Sequence, residues 1–207
     1  MYDPNFWTWT QPHSLMETLE SDRVTAVKSI ELREDFSFLV IELSRSATEG
    51  DKNWRATKTS SLHGVKREGI SAQDIFLNPK MRSLQTLTLS EFDRSVIDDV
   101  SVLAKLTTLK SLNLSKTKIE NISALEHLTN LKWLSLRITN VENVSALAKL
   151  TKLESLNLDL TSVANMSTLN NLTNLKELNL LGTKVSDVEV SALKNKRIVF
   201  LSMPTKV

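Results

Sequence analysis

The chain lacks cysteine altogether and is poor in glycine, proline and tyrosine, with four, four and one among 207 residues. Without cysteine there can be no disulfide, no thiolate nucleophile and no Cys-based zinc site. The four glycines (Gly50, Gly64, Gly69 and Gly182) fall in no G-x-G-x-x-G or G-x-x-x-x-G-K-[ST] pattern, so no phosphate cradle can be read. No G-x-S-x-G elbow occurs either. Charge of one sign is also missing: 26 Lys and Arg face 24 Asp and Glu, a net charge of +2. That balance argues against a nucleic-acid or membrane partner. No apolar run reaches the roughly 18 residues that a spanning helix needs. The opening Met1-Tyr-Asp-Pro-Asn-Phe-Trp7 has neither a basic n-region nor an apolar h-region. No signal peptide is read there, and a cytoplasmic location is the expectation.

What the chain has in abundance is a regular leucine pattern. Four blocks align without gaps until the last: residues 109–130, 131–152, 153–174 and 175–197. The first three are 22 residues long and the fourth carries one more. A diverged block, 84–108, precedes them with a three-residue insertion. Ile198, Leu201 and Met203 begin a further unit at the end of the chain. Within a block, Leu134 and Leu136 lie two apart and share one face of a strand, while Trp133, Ser135 and Arg137 point the other way. Val141, Val144, Leu147 and Leu150 then recur every three residues, a period suited to 3₁₀ or short helical turns. One block cannot bury its own apolar face, but stacked blocks can.

These blocks resemble the 22-residue leucine-rich repeat of the internalins and of the SDS22-like phosphatase regulators. The likeness rests on the L-x-x-L-x-L triplets, on the pairs Ile119/Ile122 and Val141/Val144, and on the L-x-x-L-T-N endings of Leu125–Asn130 and Leu169–Asn174. It covers residues 81–203. The resemblance implies an α/β fold: a right-handed leucine-rich repeat solenoid with a parallel sheet on its concave face and 3₁₀ or short-helix turns on its convex face. It also implies protein binding, without naming a partner. One departure is visible. The family places Asn at the ninth position of the repeat, and this chain has Thr117, Thr139, Thr161 and Thr183. A hydroxyl both donates and accepts, so a threonine ladder is expected.

Residues 1–80 do not show the repeat and are expected to form a small α+β cap, leaving 81–207 as the solenoid. Ser14-Leu-Met-Glu17 is a capping-box pattern for a helix over about 14–21. Residues 36–43 read as a strand, and 53–62 as a strand returning antiparallel to it. A helical turn could open at 71–74. Val27, Ile30 and Leu32 mimic the leucine triplet once. The aromatic residues Phe6, Trp7, Trp9, Phe36, Phe38 and Trp54 are read as cap core, with an exposed binding patch as the alternative.

Catalytic groupings are thin. His13, His63 and His127 have no metal-ligand spacing, and Asp98-Asp99 reads as a solvated loop pair. No cofactor, metal or small-molecule substrate is expected. The outward strand positions are more informative. Most are Ser, Thr or Asn, but Trp133 and Arg137 are residue types that dominate binding hot spots. Ile138 and Leu160 stack one position beyond the strand. With Trp133 and Leu181 they are expected to form an apolar patch flanked by Arg137, Asp159 and Glu177 and extended by Phe92. The competing reading packs this ridge under the insertion at 91–96. A non-catalytic module binding another protein is therefore expected. Within that class, a neutralising, immunity-type inhibitor of a toxic enzyme and a regulatory scaffold both fit. An enzyme would have to rely on Glu31, Glu34, Asp35 and His63, whose mutual geometry the sequence does not fix.

Overall fold

The computed structural model describes residues 24–32, 39–45, 59–62, 76–89, 100–194 and 198–202. Among these residues nine strands form one sheet in the order β3-β2-β1-β4-β5-β6-β7-β8-β9. They are β1 (Val24–Leu32), β2 (Leu39–Arg45), β3 (Thr59–Leu62), β4 (Thr86–Leu89), β5 (Ser111–Asn113), β6 (Trp133–Ser135), β7 (Ser155–Asn157), β8 (Glu177–Asn179) and β9 (Val199–Ser202). From β4 to β8 each strand pairs in parallel with the next, so Leu87, Leu112, Leu134, Leu156 and Leu178 fall in one register row. All five are fully buried. Each such leucine stabilises the stack by roughly 1.5–3 kcal/mol, which is why the stack needs no long strands. The architecture is the right-handed leucine-rich repeat solenoid that the repeat spacing predicts.

Between strands the chain returns through 3₁₀ turns at Val100–Lys105, Ser123–His127, Ser145–Lys149 and Ser167–Asn171. Their buried residues, among them Leu103, Leu125, Leu147 and Leu169, form the opposite wall of the core. Asn121, Asn143 and Asn165 each accept the N–H of the serine two residues on, at 2.8–2.9 Å, and so start these turns. The fourth block differs. Its return is an α-helix, α1 (Asp187–Lys194). An α-helix rises less per residue than a 3₁₀ turn, so the one extra residue of this block is absorbed there. Ser186 and Glu189 bracket its start as a loose capping box, with both reciprocal bonds at 3.4 Å. Glu189 also accepts the Met166 N–H of the preceding coil at 3.0 Å.

At the N-terminal end, β2 and β3 are antiparallel, as the readings of 36–43 and 53–62 required, with Ile41 opposite Ser60. The lone triplet Val27-x-x-Ile30-x-Leu32 proves to be a member of the ladder. Strand β1 is parallel to β4 and aligns Ile30 with Leu87 and Leu32 with Leu89. The sheet thus runs unbroken across residue 80. At the other end the register departs from the expected spacing. Phe200, and not Leu201, stands opposite Leu178, and a shift then sets Ser202 opposite Asn179. The expected helix at 14–21, the turn at 71–74 and the six aromatic residues assigned to the cap core lie outside the described residues.

Candidate functional site

The turn that leaves each strand builds the outward ridge. In every aligned coil it spans repeat positions six to nine, for example Leu136-Arg137-Ile138-Thr139. The ninth-position threonine is buried, and its hydroxyl donates to the carbonyl of position six in its own coil. The four bonds, from Thr117, Thr139, Thr161 and Thr183, measure 2.7–2.8 Å. The expected threonine ladder is therefore a column of closures within single coils. Bonding between coils falls to the backbone and to other side chains, among them those at position 22. There Asn130 and Asn174 donate to the carbonyls of Thr107 and Thr151, and Lys152 donates to the Asn130 side chain. A threonine hydroxyl is shorter than an asparagine amide and reaches only its own turn.

Closing that turn forces position eight into the left-handed region. Lys116, Ile138, Leu160 and Gly182 have φ of 60°, 56°, 56° and 68°. Glycine or asparagine is the economical residue at such a place. An L side chain there costs about 1–2 kcal/mol, and a β-branched isoleucine is a rare occupant. The strained residues are held by the backbone: Lys116, Ile138 and Leu160 each donate to the position-seven carbonyl of the following coil, those of Arg137, Asp159 and Leu181. Gly182 has a second reason to lack a side chain. A Cβ there would lie 2.6 Å from Leu160 Cδ2, because the Leu160 side chain leans over it.

The result is a set of large apolar side chains in contact with solvent. Trp133 is 38 % exposed, Ile138 37 %, Leu160 45 % and Leu181 43 %. Trp133 owes its exposure to its register neighbours, Ser111 and Ser155, which are too small to cover the indole. Trp133 opens β6 and Ile138 lies five residues further on, in the turn past the end of that strand. Ser135 and Arg137 lie between them. The surface thus offers an aromatic anchor at one end of the strands and an aliphatic cluster, Ile138–Leu160–Leu181, at the other.

The flanking charges also need one correction. Glu177 is exposed, as expected. Asp159, expected as a solvated rim charge, is only 7 % exposed. Its carboxylate accepts the Leu181 N–H at 2.7 Å, and its own N–H is held by Asn157 Oδ1 at 2.9 Å. It serves the coil-to-coil geometry beneath the aliphatic cluster. The spacing placed Asp159 on the outward face but could not show that the following coil would cover it. Phe92 lies outside the described residues.

A second feature was not foreseen. Repeat position two carries Lys110, Lys132, Glu154 and Lys176 in a column along the edge of the face. Glu154 bridges Lys132 at 2.8 Å and Lys176 at 2.5 Å. The hydrogen bonds from Lys132 and then Lys176 hold its carboxyl at about 2, well below the ordinary 4.5. On the opposite wall Lys149, hydrogen-bonded to Glu126 at 3.0 Å, lowers that carboxyl as well. An open groove of about 400 Å³ there is lined by Glu120, Asn121, Glu126 and Asn143 among others. Among the described residues no three His, Asp or Glu side chains converge as metal ligands would. Of the acid–base group considered for an enzyme, Glu34, Asp35 and His63 lie outside the described residues, and only the backbone of Glu31 is placed, on β1. No described helix is long and apolar enough to cross a membrane.

Comparison with known proteins returns the same architecture. An internalin from Listeria monocytogenes matches 72 % of this chain and 41 % of its own length, at 30 % identity and a TM-score of 0.54. Internalin C2 of the same species matches 65 % of this chain and 56 % of its own length, at 34 % identity and a TM-score of 0.55. A leucine-rich repeat protein of Leptospira interrogans shares the fold at 22 % identity and a TM-score of 0.54, over 62 % of this chain and 33 % of its own. The chain thus corresponds to about half, or less, of each of these proteins. No family model matches it, and no curated protein matches it by sequence.

Proposed function

We propose that this internalin-like leucine-rich repeat solenoid is a non-catalytic module that binds another protein through the outward face of its strands. The observation that carries this reading is the occupancy of position eight. Ile138 and Leu160 sit at left-handed backbone positions and leave much of their side chains exposed, so their strain is not offset by full burial. Backbone strain of this kind concentrates at functional sites. Arg137 and Trp133 add two residue types that dominate binding energetics. The scaffold suits the role, because a rigid sheet presents its side chains already ordered and loses little entropy on docking.

The test is co-purification of a partner with the tagged chain, identification by mass spectrometry, and measurement of its affinity for variants. Trp133→Ala and Arg137→Glu are each expected to weaken binding by about 2 kcal/mol or more while moving the melting temperature little. Unaltered affinity in both would remove the concave-face reading. Adding the chain to the captured partner then separates the two forms of the role. An immunity-type inhibitor abolishes an enzyme's activity, and a scaffold leaves it intact.

A further inference from the structure

Charge is distributed unevenly around the coils. In the four aligned coils the strand side comprises residues 110–118, 132–140, 154–162 and 176–184. It carries seven Lys or Arg and three Asp or Glu. The return side comprises 119–127, 141–149, 163–171 and 185–193. It carries one Lys and five Asp or Glu. Within these segments a basic strand side is set against an acidic return side, which the chain's net charge of +2 does not show.

Two of the three strand-side acids have structural partners. Asp159 is buried and accepts the Leu181 N–H. Glu154 is held between Lys132 and Lys176. The triad Lys132–Glu154–Lys176 is itself net positive. Beyond it, the strand side carries Lys110, Lys116, Lys118, Arg137 and Lys184 against the single exposed acid Glu177. The aliphatic cluster Ile138–Leu160–Leu181 belongs to this basic side.

Resting on the binding role set out above, we propose that the partner's contact element is an acidic segment of a protein that carries an aliphatic or aromatic side chain seated on the Ile138–Leu160–Leu181 cluster. Charge complementarity selects the sign of the partner and speeds its encounter. The apolar contact excludes water, and each ion pair beside it then counts for more. A nucleic acid would satisfy the charge alone. Of the exposed apolar side chains Trp133, Ile138, Leu160, Leu181 and Val199 on this face, all but Trp133 are aliphatic and give bases no stacking platform, so the face fits a protein better.

The experiment pans a display library of random peptides, about a dozen residues long, on the immobilised full chain. Parallel pannings use Trp133→Ala, Ile138→Asn and the double variant Arg137→Glu/Lys184→Glu, each checked by its melting curve. The peptides retained are expected to have excess Asp and Glu and at least one Leu, Ile, Phe or Trp. Synthetic copies should lose about tenfold or more in affinity between about 50 and about 300 mM NaCl. They should lose at least as much on the double charge reversal. Retained peptides that are neutral or basic, yet still depend on Trp133 and Ile138, would overturn the acidic partner and leave the binding face standing. Retention indifferent to all the substitutions, or no enrichment over a blank matrix, would overturn both. A single-stranded oligonucleotide that binds more tightly than the best peptide and is lost on the same variants would assign the face to nucleic acid.

Discussion

Inward from strands β5 to β8, Leu112, Leu134, Leu156 and Leu178 stand in one column without exposure. Outward, on the same strands, position three changes from Ser111 to Trp133, Ser155 and Glu177, while position seven changes from Ser115 to Arg137, Asp159 and Leu181. One backbone serves both rows. The inner row must interlock with the coils above and below, so its residue type is fixed by packing. Most of the outer row meets solvent, Ser135 and Asp159 excepted, so its residues can vary without loss of the fold. Coil 109–130 illustrates the plain version of the outer surface, with Ser111, Asn113, Ser115 and Lys116. Coils 131–152 and 153–174 bear Trp133, Ile138 and Leu160 on the same scaffold. What distinguishes one leucine-rich repeat solenoid from another is carried by the second row.

The largest break in this comparison comes from the inner row. Leu134→Asp buries an unpaired carboxylate between two leucine layers and is expected to cost about 4 kcal/mol or more. Circular dichroism should show the cooperative melt lost or moved far down in temperature. Next is the turn that separates the two rows. Thr139→Val keeps the shape but removes the donor to the Leu136 carbonyl. A buried acceptor left without its partner should cost about 1–3 kcal/mol, read from the denaturant midpoint. An unchanged midpoint would show that the hydroxyl closure is dispensable.

On the outer row the sign reverses. Ile138→Asn relieves left-handed strain by more than the burial it gives up, so it is expected to stabilise the fold by about 0.5–1 kcal/mol. The melting temperature should rise by a few degrees, and it should fall if Ile138 is packed and not presented. The smallest effect concerns the charged edge. The Glu154 carboxyl is lowered to about 2 from an ordinary 4.5. A carboxylate whose folded value is depressed favours the native state above its unfolded value and loses that contribution as pH falls through the folded one. Stability should therefore decline between about pH 4.5 and pH 2. Glu154→Gln should flatten part of that decline. Because the pair is exposed, high salt should reduce the difference between the two proteins. A Glu154 side-chain resonance titrating near 4.5 at low salt would contradict the bridge.

The inner row was readable because it repeats. Leucines two apart and apolar residues three apart name a strand and a 3₁₀ return wherever they occur, and a 22-residue period requires the units to stack. The outer row was readable only in part. Trp133 and Leu181 could be assigned outward by alternation, Ile138 and Leu160 by their stacking one position beyond the strand, and all four are exposed. Their division into an aromatic end and an aliphatic end follows from the short strand between them. The role of Asp159 could not be read, since alternation assigns a direction and not a cover. Helix α1 left a trace in Ser186-Asp-Val-Glu189, a capping box that the repeat alignment masked. Strand β1 was visible as a single triplet, and one copy of a period has no neighbour to confirm it until the sheet is formed.

Local spacing determined the solenoid, its core columns and the identity of the outward row, because burial in a stack depends only on which residues recur at which interval. Contacts between coils decided the rest. They set the backbone bonds that hold Ile138 and Leu160 in their left-handed turns, the burial of Asp159, the bridge at Glu154 and the joining of β1 to the ladder. Each of these depends on two segments some 22 or more residues apart coming into register. That proximity exists only when the coils have closed on one another, so no single stretch of sequence contains it.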